Sequence, residues 1–184
     1  MIVGQTLDPT LLWTLRGALA AVLLAVGTHK LRHAVEFGGA LRGYRLLPPR
    51  LALPVGYGLA AAEISLGLGL LLPSLAPAAA LATAALLALY AGAIAVNLVR
   101  GRRHIDCGCG GPAGRAGISE GLVTRNALLI AAACAAALEA GPRPLVWLDG
   151  LSIVAGASTL VLLYAAGDGL LANALRLAPV RSRP

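Results

Sequence analysis

Five long apolar stretches restrict the fold of this sequence more than any other feature. A helix rises about 1.5 Å per residue, so a hydrocarbon core of about 30 Å is crossed by about 20 apolar residues. The stretches cover residues 11–28, 53–72, 78–98, 121–138 and 145–166. We therefore predict an all-α integral membrane protein, with one membrane domain over residues 1–184 built as a bundle of four to five transmembrane helices.

The composition excludes two other classes of protein. Hydrophobic residues make up 58% of the chain and charged residues 12%, and the mean hydropathy is +0.81. Soluble domains have roughly 45–50% apolar and about 25% charged residues, and disordered chains need low hydrophobicity, so neither class fits. The net charge of +7 lies in loops between apolar runs, which indicates a lipid bilayer as the partner and no nucleic acid.

Positive charge in two loops predicts the orientation of the chain. The loop over residues 29–51 carries five Lys or Arg residues, and the loop over residues 99–120 carries four. By the positive-inside rule both loops are expected to be cytoplasmic, which places the amino terminus outside. His29, Lys30, Arg32 and His33 are expected to reach towards lipid headgroups at the inner end of the first span.

Two ionisable residues fall inside the predicted spans. Arg16 lies about six residues into the first span and Glu63 near the middle of the second. A charge at such a depth costs roughly 2.5–3.5 kcal/mol on insertion scales, so a partner is expected. By helical rise Glu63 lies about 15 Å and Arg16 about 20 Å above the inner face. The sequence predicts an intramembrane Arg16–Glu63 pair, either a structural ion pair or a proton or ligand site.

The second loop contains two cysteines whose surroundings have no membrane explanation. Cys107 and Cys109 are separated by one glycine, and His104 and Asp106 precede them. Glycines permit the backbone to bring two sulfur atoms together, and a disulfide in so small a ring is expected to be easily reduced. We predict a redox pair formed by Cys107 and Cys109, with Asp106 and His104 as supporting residues; an enzymatic role as a thiol–disulfide oxidoreductase is left open.

Two alternatives to a redox pair remain at this point. Cys107, Cys109 and His104 could ligate Cu(I) or Zn(II), although the usual zinc spacing has two to four residues between cysteines. The protein would then be a small membrane transporter or a metal-binding membrane protein that uses the cysteine loop as a gate. The third cysteine, Cys134, lies in an Ala-rich apolar run, where a small buried side chain is expected.

The motifs resemble those of a known group of membrane proteins. Arg16 early in the first span, the segment Gly27-Thr28-His29-Lys30-Leu31 at its end, and the run from Glu63 to Leu70 resemble the DoxX-like family. The segment Asp106-Cys107-Gly108-Cys109-Gly110 is similar to the loop of the MauE branch, the methylamine utilisation protein MauE family. The resemblance covers about residues 11 to 140 and departs at Gly111, where the MauE loop usually has an aromatic residue.

The resemblance implies a multi-pass protein of the bacterial plasma (inner) membrane. It implies a role in maturation of the methylamine dehydrogenase small subunit, a periplasmic, disulfide-rich chain. The expected partners are a thioredoxin-like protein and a disulfide-rich secreted substrate. The oxidant or reductant is expected to be a quinone or a thioredoxin-like protein.

This implied role conflicts with the predicted orientation of the chain. A helper of periplasmic disulfides needs thiols outside, whereas the arginine pattern predicts that Cys107 and Cys109 lie inside. Three resolutions stay open: cytoplasmic thioredoxin supplies electrons that Cys134 or a quinone relays outwards, the cysteine segment folds back into the bundle, or the charge rule does not hold for this chain.

Overall fold

The computed structural model describes residues 6–108 and 117–181. In that part the chain is almost entirely helical, which confirms the predicted all-α membrane fold. The elements in chain order are β1 (Thr6–Leu7), α1 (Pro9–Arg32), α2 (Ala34–Tyr44), a 3-10 turn (Pro49–Leu51), α3 (Ala52–Leu70), α4 (Ala76–Val99), α5 (Glu120–Ala136), β2 (Glu139–Ala140) and α6 (Trp147–Arg181).

Four of these helical segments are long and apolar enough to cross a membrane: Pro9–Arg32, Pro49–Leu70, Ala76–Val99 and Trp147–Ala174. Helix α5 has 17 residues, which rise about 26 Å and fall short of a hydrocarbon core of about 30 Å. Large apolar side chains such as Leu81, Leu89, Leu128 and Leu162 are exposed on the bundle surface, where lipid would cover them. The four helices that meet this criterion fall within the predicted four to five.

Local chemistry explains where helix α1 begins. The Asp8 carboxylate accepts a hydrogen bond of 2.8 Å from the backbone N–H of Thr10, so Asp8 acts as the N-cap. Pro9 follows in the first turn, where its fixed φ suits the helix and its missing N–H is not needed.

Helix α1 is the central element of the bundle, because it packs against α3, α5 and α6. Its contact with α3 is close at Gly27. A Cβ atom there would lie 2.9 Å from Ile64 Cγ1 and 3.1 Å from the Ala60 carbonyl oxygen. Small residues at such crossings permit two helix backbones to approach each other closely.

The segment over residues 29–51, expected to be a loop, contains helix α2. The chain bends at His33, and α2 continues along the first half of α3, where Gly38 contacts Leu53 and Gly56 contacts Phe37. Helix α2 buries Phe37 and Tyr44 while Glu36 is exposed. Its charges resembled those of a solvated loop, but they occupy the outer face of a short amphipathic helix.

The two ends of the bundle differ in character. At one end β1 pairs in parallel with β2, and Arg143 forms ion pairs with Asp8 at 3.2 Å and Asp149 at 2.9 Å. The opposite end, called the basic end here, holds the chain between α1 and α3 and the segment between α4 and α5. The described residues of both positively charged segments therefore lie at the same end of the molecule, as their charge predicted.

Candidate functional site

A cluster of three polar side chains lies inside the bundle where α1, α3 and α4 meet. Lys30 Nζ lies 2.5 Å from Glu63 Oε1 and 3.2 Å from the Tyr90 hydroxyl, which itself donates to Glu63 Oε1 at 2.8 Å. Lys30 is 2% exposed and Glu63 1%. The cluster is a buried ion pair, bridged by a tyrosine hydroxyl.

Two further features of the cluster concern its charge balance. Lys30 Nζ lies 4.7 Å from the centre of the Phe37 ring and 4.4 Å from that of Tyr90, so both rings stabilise the ammonium through cation–π contact. Glu63 Oε2 is buried and has no hydrogen-bond partner within the described residues. One carboxylate oxygen of Glu63 therefore accepts no hydrogen bond from the described residues, in a region of low dielectric constant.

The structure corrects the predicted Arg16–Glu63 pair. Arg16 donates from Nε to the Ala136 carbonyl at 2.9 Å and from Nη2 to the Leu138 carbonyl at 3.2 Å. It thus satisfies carbonyls that have no partner within α5 at the end of that helix. Glu63 binds Lys30 instead. Helix α2 continues beside α3, so the end of α1 that carries Lys30 lies inside the bundle. Lys30 is consequently buried, and does not reach towards headgroups as predicted.

The described part of the cysteine segment folds back against the bundle at the basic end. Cys107 is disulfide-bonded, 6% exposed, and packed in a cluster with Tyr44, Ile94 and Leu122. The Tyr44 hydroxyl donates to the Cys107 carbonyl at 3.1 Å. Burial raises the pKa of Tyr44 to about 12, so the hydroxyl stays protonated and keeps donating at neutral pH. Cys109, the predicted partner of Cys107, lies outside the described residues.

An exposed ion pair closes the base of this segment. Arg103 donates two parallel hydrogen bonds to Glu120, at 2.9 and 2.5 Å, and the backbone N–H of Ile118 donates to the Arg103 carbonyl at 3.1 Å. The guanidinium lowers the pKa of Glu120 to about 2. The chain therefore leaves α4 and enters α5 at neighbouring points, with the cysteines between them. His104 and Asp106 are both exposed.

Two openings flank helix α2 at the basic end. The first is a polar cleft of about 660 Å³, lined by His29, Lys30, His33, Glu36, Phe37, Gly39, Ala40, Gly43, Arg102, His104, Ile105, Asp106 and Gly108. The second is an apolar cavity of about 260 Å³, lined by Lys30, Phe37, Leu41, Tyr44, Leu46, Leu47, Val55, Leu59, Leu89, Tyr90, Ala93, Ile94 and Cys107.

The disulfide-bonded residue lies at the boundary between these two openings. Cys107 lines the apolar cavity, while its neighbours Asp106 and Gly108 line the polar cleft, and Lys30 lines both. A disulfide is exchanged only where a thiolate can reach one of its sulfur atoms. The cleft offers a polar approach to the segment, and the cavity offers an apolar one.

The metal and relay alternatives gain no support from the described residues. No group of three His, Cys, Asp or Glu side chains within residues 6–108 and 117–181 lies close enough to hold a metal ion. Cys134 has a free thiol and is exposed on α5, not buried as predicted. It lies 12 residues beyond Leu122, which belongs to the same hydrophobic cluster as Cys107, and this separation corresponds to about 18 Å along the helix. Direct thiol exchange with Cys107 is therefore out of reach.

Sequence reasoning missed three members of the polar interior. The sequence predicts Lys30 at the membrane surface, and Tyr90 falls within the apolar stretch 78–98. Arg125 on α5 also forms a buried ion pair with Asp168 on α6, 2.5 Å apart. Glu63, an acid inside a predicted span, was the available signal for Lys30 and Tyr90, whereas Asp168 lies two residues beyond the predicted 145–166 span. The depth of each residue depends on helix bounds that composition does not fix.

Gly108 is expected to hold the cysteine segment in place. Its φ is +68°, and a Cβ atom would lie 2.9 Å from the Phe37 ring. Gly108→Ala should loosen the segment, because the methyl group overpacks this contact at a cost of about 1–3 kcal/mol. We expect the reduced segment to react with maleimide about tenfold faster in a Cys134→Ser background.

Gly101→Ala is the matched control for this variant. Gly101 has a φ of +72°, but nothing lies within 4 Å of the added atom. Both variants strain the backbone and only one meets a neighbour, so equal maleimide rates would show that the Phe37 contact does not hold the segment.

The sequence of the chain is similar to those of several known proteins. The family model described as methylamine utilisation protein MauE matches residues 8–139. The methylamine utilization protein MauE of Paracoccus denitrificans is 42% identical over 131 residues, covering 71% of this chain and 70% of the relative. The protein of the same name from Paracoccus versutus is 41% identical and covers 85% of both chains. The one from Methylorubrum extorquens is 37% identical and covers 90% of both. No solved structure matches the chain.

Proposed function

The chain belongs to the methylamine utilisation protein MauE family, and from that premise we propose that it is an accessory protein of methylamine utilisation that exchanges thiols and disulfides at the bacterial plasma membrane. The observation that carries this proposal is the disulfide at Cys107, folded against the bundle beside a polar cleft. Two other observations favour it: Cys134 is free, and Cys107 lines an opening that also contains the buried Lys30.

The proposed chemistry is a two-electron exchange with a partner protein. In this scheme the disulfide-bonded Cys107 takes Cys109 as its partner, as the spacing of the two cysteines predicts. A thiolate of the partner attacks this disulfide, a mixed disulfide forms, and a second partner thiol releases it. The partner leaves with a new disulfide, and Cys107 and Cys109 leave with two thiols. His104 and Asp106 in the cleft flank the approach and act as supporting residues.

The basic end determines which partner the disulfide would meet. The positive-inside rule predicts that this end faces the cytoplasm, where a thioredoxin-like protein is the expected partner. A disulfide-rich secreted substrate is the expected partner if the same end faces the periplasm. An impermeant maleimide applied to intact cells and to inverted vesicles distinguishes the two partners by the side on which reduced Cys107 reacts.

Thiol trapping at controlled potential tests the proposed function. The full-length protein in membranes is equilibrated with dithiothreitol mixtures and its free thiols are alkylated. We expect one couple of two thiols that titrates together. Cys107→Ser and Cys109→Ser should each abolish the couple, whereas Cys134→Ser should leave it unchanged.

The proposal fails if the couple does not titrate, or if it survives Cys107→Ser. A couple that disappears only in Cys134→Ser would instead point to an exchange between molecules. Bound copper or zinc in the purified protein that disappears in Cys109→Ser would favour the metal-binding alternative.

A further inference from the structure

We propose that the apolar cavity beside Cys107 binds the ring of a membrane quinone, which reoxidises the cysteine pair. This inference rests on the proposed thiol–disulfide function and names its electron acceptor. The cavity lies between α2, α3 and α4, its lining includes the disulfide-bonded Cys107 together with Lys30 and Tyr90, and its surface is almost entirely apolar. A redox group therefore borders an apolar space that adjoins the Lys30–Tyr90 hydrogen bond.

The size of the cavity and its opening to lipid match a single-ring head group. The volume is about 260 Å³, just below the roughly 300–1,000 Å³ of pockets that enclose whole drug-sized ligands. Three leucines that line it, Leu46, Leu47 and Leu89, are also exposed on the bundle surface, by 43%, 36% and 61%. A ring therefore fits inside, and an isoprenoid tail attached to it can leave through this side into the bilayer.

Lys30 supplies the polar contact that orients the ring. A lysine ammonium has three protons to donate, and within the described residues Nζ uses two of them, one on Glu63 and one on the Tyr90 hydroxyl. The third proton is available to a quinone carbonyl in the cavity. A hydrogen bond from a buried cation strengthens as negative charge develops on that oxygen during reduction.

The cysteine pair and the quinone are the only two reactants that the redox step needs. Cys107 and Cys109, both reduced after exchange with a partner, lose two protons and two electrons, and a disulfide bond forms. The quinone gains the two protons and two electrons on its carbonyl oxygens and leaves as the hydroquinone. The pair is then ready for another exchange with protein thiols through the polar cleft.

Cavity-filling variants test the inference, with ubiquinone-1 as the probe. The purified full-length protein is reduced, freed of dithiothreitol and mixed with ubiquinone-1, and hydroquinone formation is followed by absorbance. Ala93→Phe fills the cavity from α4. Ala88→Phe adds the same side chain to the same helix at an exposed position outside the cavity lining, and serves as the control.

We expect the wild-type protein and Ala88→Phe to reduce one quinone per cysteine pair, and Ala93→Phe to react at least tenfold more slowly. Both variants should retain the dithiothreitol-titrated couple, which also verifies that they are folded. In addition, ubiquinone-1 should raise the unfolding temperature of the oxidised wild-type protein, because a ligand that binds only the folded state stabilises it.

Three results would overturn the inference. Equal rates for both variants would mean that quinone reacts by collision outside the cavity. A couple that titrates with dithiothreitol but never reduces quinone would reject the quinone and leave the proposed function intact. Loss of the couple itself would reject the proposed function first, and the quinone with it.

Discussion

Replacement of Glu63 by glutamine is expected to remove most of the folded protein from the membrane. The substitution leaves the Lys30 ammonium, 2% exposed, without its carboxylate. Removal of one partner from a buried ion pair costs about 3–5 kcal/mol, a large part of the 5–15 kcal/mol that typically stabilises a folded protein. The measurement is the amount of monodisperse protein recovered after extraction, together with its unfolding temperature.

Two comparisons separate this effect from a general loss of charge. Glu36→Gln makes the same change at an exposed position of helix α2 and should have no effect beyond about 0.5 kcal/mol. Lys30→Met combined with Glu63→Leu should recover part of the lost protein, because neither charge then remains buried. Arg16→Leu combined with Glu63→Leu should recover none, since Arg16 binds carbonyl groups of Ala136 and Leu138. The reverse pattern would contradict the assigned pair.

Gly27→Ala is expected to destabilise the protein strongly, because Gly27 lies where α1 and α3 approach each other closely. The added Cβ would lie 3.1 Å from the Ala60 carbonyl oxygen and 3.1 Å from Glu63 Cβ. Helix α3 would have to move away from α1, which separates Glu63 from Lys30 as well. Overpacking costs about 1–3 kcal/mol, and weakening the ion pair adds to that cost. The unfolding temperature of the extracted protein measures the effect.

Gly92→Ala on α4 is the matched control, because nothing lies within 4 Å of its added Cβ. An alanine is favoured over glycine within a helix by about 1 kcal/mol, so this variant should be neutral or slightly stabilised. Equal unfolding temperatures for Gly27→Ala and Gly92→Ala would show that α1 and α3 are not held as closely as described.

The helical architecture could be predicted from the sequence, because it depends on features that are local in the chain. Apolar runs of about 20 residues and the prolines that interrupt them determine where spans fall. Helix α3 at Ala52–Leu70 and α4 at Ala76–Val99 therefore lie close to the predicted 53–72 and 78–98. The charged segments were likewise expected at one end. The end of the last helix was harder to predict. The helix continues to Arg181, well past residue 166, because the hydrophobicity of the sequence decreases gradually there.

The partners of the buried charges could not be predicted from the sequence, because they depend on how the helices pack against each other. Helical rise from the predicted inner end of α1 brings Glu63 and Arg16 to similar depths, and therefore predicts that they pair. Helix α2, whose charges resemble those of a loop, continues beside α3, and Lys30 at the end of α1 is therefore buried in the bundle. The burial of Cys107 has a similar origin, since it depends on contacts with Tyr44 and Leu122 that are far apart in sequence.

The cleft and the cavity both lie at the basic end and share Lys30 and Phe37 in their linings, and this arrangement determines the direction in which electrons would travel. A transfer from a protein thiol in the cleft to a quinone in the cavity would begin and end at this one end of the bundle. It moves no charge from one side of the membrane to the other. The reaction would therefore be electroneutral, and its rate would not depend on the membrane potential.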